Sequence, residues 1–144
     1  MRIAARVLVP IIALVCLAFA AVSDGARQGA YRGALYGFNS NLRETGTKVT
    51  FSVRNAHVRN FFFRDPSYYC AGTGVYESAR YTIPSAAIRN NRVNRTYKVG
   101  SGSNTVTFTL KGTFSGRRAR GTLVQTGAAL GCSKDWRWKA RLRP

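Results

Sequence analysis

Trp136, Trp138, Ala140 and Leu142 alternate with Arg137, Lys139, Arg141 and Arg143 over eight consecutive residues near the end of the chain. Side chains on a β-strand point to opposite faces with a period of two, so this segment predicts a strand with an apolar face backed by an unbroken basic one. A helix would scatter the same residues around its axis. A chain carrying such a segment needs a core on one side of it and solvent or an anionic partner on the other.

Period-two runs bounded by turn residues recur along the rest of the chain. Tyr31 to Phe38 opens the series, and Thr47 to Val53 sets Val49, Phe51 and Val53 against Lys48, Thr50 and Ser52. His57 to Phe63 resumes after Asn55-Ala56, and Tyr76 to Ile83 follows, ending at Pro84. Arg95 to Val99 is short; Thr105 to Phe114 and Ala119 to Thr126 form a hairpin about Ser115-Gly116-Arg117. The polar segment Arg89 to Arg95 reads as a turn-like connection between sheets. No stretch shows a helical period. The expectation is an all-β, antiparallel two-sheet β-sandwich or jelly roll of seven to nine strands, with a flattened β-barrel as the alternative.

The N-terminus predicts export. Arg2 and Arg6 precede an apolar run from Val7 to Val22, and Ala18-Phe19-Ala20 forms a small-x-small cleavage site, the pattern of a secretory signal peptide over residues 1–20. That run is short for a membrane span, so no stable span is expected after cleavage. Residues 21–28 then read as a flexible tail and 29–144 as one domain. Cleavage discards Cys16 and leaves Cys70 and Cys132, which in an oxidising compartment predict one disulfide. The expected location is secreted or associated with the cell envelope.

Of the 23 Lys and Arg residues only two fall in the signal segment, and none of the five Asp and Glu residues does, which leaves a net charge of +16 on 124 residues. Such a field attracts acidic polymers and surfaces, among them wall polymers, acidic glycans and nucleic acids. Most of the cations stand singly. Two clusters exceed that pattern: Arg117, Arg118 and Arg120 at a turn, and Arg137, Lys139, Arg141 and Arg143 on the last strand.

The stretch Val106 to Gly116, then Ala119 to Leu123, Cys132-Ser133 and Trp138 to Arg141 resembles the C-terminal half of small exported bacterial β-sandwich proteins, mostly uncharacterised. Their pattern is a G-T-F-x-G hairpin, a G-T-L strand, a cysteine and a closing W-x-A. Tyr31 to Phe63 resembles their opening hairpin, and Cys70 falls where their first cysteine tends to stand. Here Lys134-Asp135-Trp136 replaces the glycine they carry after the second cysteine. The resemblance implies a fold and an export route, and no activity.

Catalytic signals are sparse. His57 is the chain's one histidine, no Gly-x-Ser-x-Gly motif is present, and a tetrahedral zinc site lacks ligands. No metal or cofactor is expected. The candidate carboxylate pair is Glu77 with Asp135, each a few residues past a cysteine, as a glycosidase would need; Glu44 and Asp65 read as turn residues. A ribonuclease reading would use His57, Glu77 and Arg80. Tyr68, Tyr69, Tyr76 and Tyr81 offer either packing around the disulfide or a stacking platform. The expectation is a non-enzymatic exported module binding acidic polymers or surfaces. The alternatives are a small secreted hydrolase and a structural or inhibitory interaction domain.

Overall fold

The computed structural model of the protein describes residues 25–38, 42–70, 72, 74–127 and 132–144. The expected signal segment and residues 21–24 of the expected tail lie outside the described residues. Eight strands are described: β1 Gly29–Gly37, β2 Lys48–Arg54, β3 His57–Cys70, β4 Val75–Arg89, β5 Arg92–Val99, β6 Val106–Ser115, β7 Arg118–Thr126 and β8 Lys134–Leu142. Each pairs antiparallel with the next, and β1 also pairs with β8 from Tyr31↔Leu142 to Gly37↔Trp136, closing a barrel.

The all-β antiparallel class, the strand number and the Cys70–Cys132 disulfide agree with the sequence reading, and the barrel alternative replaces the two-sheet sandwich. Turn length is one physical reason. β2–β3, β4–β5 and β6–β7 are joined by two residues each, which forces sequential strands to be neighbours and leaves no crossing connection. Asn90 and Asn91 both adopt positive φ (48° and 59°), the conformation of a tight two-residue hairpin turn, so the segment read as a link between sheets is a hairpin.

Glycine supplies the other reason. Gly33 on β1 and Gly121 on β7 sit where a Cβ would lie 1.8 and 1.9 Å from carbonyl oxygens of the adjacent strand, those of Lys139 and Lys111. Only a residue without a side chain allows strands to coil that closely, and strong coiling closes a sheet.

The interior is solid. Tyr31 stacks on Phe51 at 4.9 Å, and Trp138 meets Phe51 and Phe61 edge-on at 5.8 and 5.3 Å. Above them Phe63 packs on Phe108 at 5.3 Å and Tyr68 on Trp136 at 5.6 Å. Burying each tryptophan contributes about 5 kcal/mol, from some 200 Å² at about 25 cal/mol per Å². Their indole N–H groups remain satisfied: Trp136 donates to Asp65 Oδ2 at 2.7 Å, and Trp138 to the carbonyls of Lys111 and Thr122 at 3.1 and 3.2 Å. Gly112 makes room for the second ring, since a Cβ there would lie 2.3 Å from it.

Two irregularities resolve ambiguous sequence. Phe61 and Phe63 point into the core while Phe62 faces outward, and Asn60, at φ 51°, is the extra residue where β3 bulges against β2. Pro84 does not end a strand; β4 continues through it to Arg89. The β4–β5 ladder contains only Ile88↔Val93 and Arg89↔Arg92, so the missing N–H of Pro84 costs no pairing with β5.

Candidate functional site

Because Trp136, Trp138 and Ala140 face inward, Arg137, Lys139 and Arg141 of β8 face outward, and all three are exposed. Arg143 lies just beyond the strand, exposed, with its N–H on the carbonyl of Ala30. The basic turn of the sequence is divided: Arg117 occupies the turn and donates to the Leu142 carbonyl at 3.4 Å, whereas Arg118 and Arg120 are outward residues of β7.

Strand pairing then merges the two basic clusters into one wall. Arg141 stands directly between Arg32 of β1 and Arg118 of β7, so three arginines lie abreast. Lys139 is paired with Arg120, which is followed across the sheet by Thr113 and Arg92. Arg137 is paired with Thr122, followed by Lys111 and Asn94. Neighbouring strands are about 4.8 Å apart and like-facing residues on a strand about 7 Å apart, which sets the spacing of this grid.

Two contiguous grooves run over it. One, of about 920 Å³, is lined by Arg32, Tyr36, Arg43, Arg118, Arg120, Lys139 and Arg141. The other, of about 660 Å³, is lined by Arg92, Lys111, Arg120, Arg137 and Lys139, so Arg120 and Lys139 border both. Aromatic rings edge the wall at the top: Lys139 Nζ lies 4.7 Å from the centre of the Tyr36 ring and the Arg137 guanidinium 6.0 Å from that of Phe38. Sequence reading missed Arg32, Arg43, Arg92 and Lys111. Arg32 and Lys111 carried a signal as the polar members of alternating runs, but only the strand order puts them beside β8.

Among the described residues, Arg32, Arg118, Arg120, Lys139 and Arg141 have no carboxylate within ion-pair distance. The acids are elsewhere. Asp65 is 1% exposed and faces the upper interior, Glu77 follows the inward alternation of β4 near the same rim, and Asp135 lies at the upper end of β8.

The carboxyl groups brought together are Glu44 and Asp65, both read from sequence as turn residues, and not Glu77 with Asp135. Asp135 shares its parity with the outward Arg137, opposite to that of Trp136, whereas Glu77 shares its own with the buried Ala79, so the barrel wall separates the sequence-predicted pair. Burial raises the Glu44 pKa above the ordinary glutamate range, and a hydrogen bond to Asp65 raises it further; Lys134, 3.5 Å away, acts in the opposite direction. Asp65 accepts from the Trp136 indole and, through Oδ1, from the Ser67 N–H at 3.1 Å. This cluster closes the upper rim beside the Cys70–Cys132 bridge. In it Tyr68 accepts a 3.0 Å hydrogen bond from Gln125 Nε2, and burial raises the Tyr68 pKa.

The other chemical candidates are dispersed. His57 pairs with Ala87 at the lower end of β3, while Glu77 pairs with Tyr68 eleven residues further along that strand, some 35 Å at about 3.3 Å per residue. His57 Nδ1 lies 2.8 Å from the Asn55 carbonyl, a local turn contact. The tyrosines also part company. Tyr68 and Tyr81 pack in the core, whereas Tyr69 and Tyr76 form an exposed edge-on pair 5.5 Å apart at the tip of the β3–β4 hairpin.

Fold and wall together define a class: an eight-stranded up-and-down barrel with an aromatic-filled interior and a cationic exterior. Comparison with protein-family models, with curated proteins and with solved structures finds no match for this chain.

Proposed function

We propose that this protein is an exported, non-enzymatic barrel that binds acidic polymers through its outer wall. The observation that carries the reading is the row Arg32–Arg141–Arg118, three like charges directly opposite one another across the strands, with no carboxylate among the described residues to relieve them. Such rows are destabilising by themselves, and a bound polyanion removes the repulsion while releasing the polymer's counterions. The arginine side chains favour this use, because the planar guanidinium presents a fork of donors that matches phosphate or carboxylate oxygens.

The filled interior favours an exterior site, since aromatic rings occupy the space where an eight-stranded barrel would hold a small ligand. A lipid-facing wall is disfavoured, because a membrane barrel needs an apolar outer band and each midplane arginine or lysine costs about 2–4 kcal/mol. The signal-like N-terminus and the disulfide support a site of action in the envelope or outside it.

The test is salt-dependent binding to a heparin-like glycan, inorganic polyphosphate and a single-stranded oligonucleotide. Wild-type affinity falls steeply with salt. Glutamine at Arg118, Arg120, Lys139 and Arg141 together lowers the slope of log K against log salt by about 3. No binding at low salt, or an unchanged slope in the quadruple variant, refutes the reading.

A further inference from the structure

A second cationic row lies on the far side of the barrel. Lys48 of β2 is paired with Arg64 of β3, and Arg64 with Arg80 of β4, so three cations again stand abreast. All three are exposed, and none has a carboxylate within ion-pair distance among the described residues. The Arg80 guanidinium lies 5.8 Å from the centre of the outward Phe62 ring, which gives this row an aromatic backing as Tyr36 does for Lys139. In the closed order β1 to β8, β3 stands four strands from β7 in either direction. The second row is therefore centred opposite β7, the middle strand of the main wall, which runs from Arg32 on β1 through β8, β7 and β6 to Arg92 on β5.

Resting on the polyanion reading above, we propose that the protein is bivalent: its two opposed cationic walls hold two phosphate-backbone chains, or two segments of one chain, and cross-link them. Charge spacing selects the polymer. Cations about 4.8 Å apart across strands and about 7 Å apart along them are matched by a chain bearing an anion on every repeat unit. A polymer charged only on alternate sugars leaves half of them unmet. The solid core makes the two walls a rigid pair, and a backbone barrel of eight strands is only about 15 Å across. The two walls meet at one edge, where Arg32 pairs with Thr50, two residues from Lys48 on the same face, but their centres face opposite ways, so a chain lying along one leaves the other open to a second.

The experiment separates binding from bridging. A short oligodeoxythymidine, long enough for one wall only, measures binding by fluorescence anisotropy; long polydeoxythymidine and long inorganic polyphosphate, mixed with limiting protein, measure bridging by light scattering and sedimentation. Wild-type protein is expected to bind the short oligomer and to sediment both long chains, because the phosphate backbone is what they share. The variant Lys48→Ser/Arg64→Ser/Arg80→Ser retains affinity for the short oligomer within about twofold, as expected when the main wall carries the tighter site, yet no longer sediments either chain. Arg64→Gln alone, the mildest change at the centre of the row, reduces sedimentation in the same direction, and circular dichroism verifies the fold of both variants. Equal sedimentation by the triple variant overturns bivalency, as does wild-type protein that binds the short oligomer and leaves the long chains dispersed. Sedimentation of polydeoxythymidine but not polyphosphate overturns the assignment to a phosphate backbone as such. Failure to bind the short oligomer at all instead refutes the polyanion reading on which bivalency rests.

Discussion

Replacing Arg141 by glutamine should make the protein more stable and a poorer binder at the same time. Arg141 faces Arg32 on one side and Arg118 on the other, and directly opposed residues have Cβ atoms about 5 Å apart. The flexible side chains splay, and a separation of about 8 Å between guanidinium groups gives about 0.5 kcal/mol of repulsion per neighbour in water. With two neighbours, screening leaves about 0.8 kcal/mol at 10 mM salt, where the Debye length is about 30 Å, about 0.4 at 150 mM and almost nothing at 1 M. Arg141→Gln should therefore raise Tm by about 3 °C at 10 mM salt, with the gain shrinking as salt is added. In the binding assay the same variant loses one phosphate contact, and the slope of log K against log salt falls by about 1. Thermal melts at three salt concentrations, run beside the binding titrations, give both numbers. A variant less stable than wild type at low salt means that Arg141 is engaged with an acidic group, and the argument for an anion-hungry wall then fails.

Gly121→Ala should destabilise by about 1–3 kcal/mol or more, because its Cβ is directed at the Lys111 carbonyl 1.9 Å away; a denaturant midpoint equal to wild type contradicts the close-coiling account of closure. Reducing the Cys70–Cys132 bridge frees a loop with a separation of 62 residues and should cost about 4 kcal/mol, read as the difference between oxidised and reduced unfolding curves. Glu44 gives a pH signature. Its pKa is raised in the folded state, so its contribution is fully present below the unfolded-state value and is lost as pH rises through the folded-state value. Stability should thus carry a declining component upward from about pH 4, and Glu44→Gln should flatten it; a variant whose stability varies with pH as steeply as wild type counts against the buried placement of Glu44 on Asp65.

Much of this fold is legible in alternation. The inward faces of β2, β6 and β8 are those that the period of two assigns, because each of these strands buries one face and wets the other. Closure is not legible, since a sandwich and a barrel impose the same alternation; what distinguishes them is turn length and the placement of Gly33 and Gly121, whose meaning depends on which carbonyl lies opposite. The same limit hid the site. Arg118 and Arg120 look like a turn cluster until Gly116-Arg117 is recognised as the whole turn, and Arg32 stands 109 residues from Arg141 in a chain with no visible reason to join its first strand to its last. Asp65 was illegible for a different reason. Pro66 and Ser67 beside it suggest a surface turn, yet the bulge between Asp65 and Tyr68 turns the carboxylate inward beneath the Trp136 indole.

The distribution of acids is the feature hardest to reconcile with a merely soluble basic protein. A chain selected only for solubility gains by interspersing charges of both signs, which relieves repulsion on the wall. Of the four described acids, Glu44, Asp65 and Glu77 are gathered at the upper rim, and Asp65, fully buried, is committed to Trp136 and the Ser67 N–H. Like charges are thus left opposed on two faces of a rigid barrel while the anions that would neutralise them serve the closure of one end. Placing Glu at Arg118, directly opposite Arg141, restores a cross-strand pair in the main row. The double gain, a lost repulsion and a new attraction, should raise low-salt stability by more than Arg118→Gln does, and it should lower polymer affinity by more as well. A charge-reversed variant that gains stability and keeps its affinity shows that the row is not where the polymer lies.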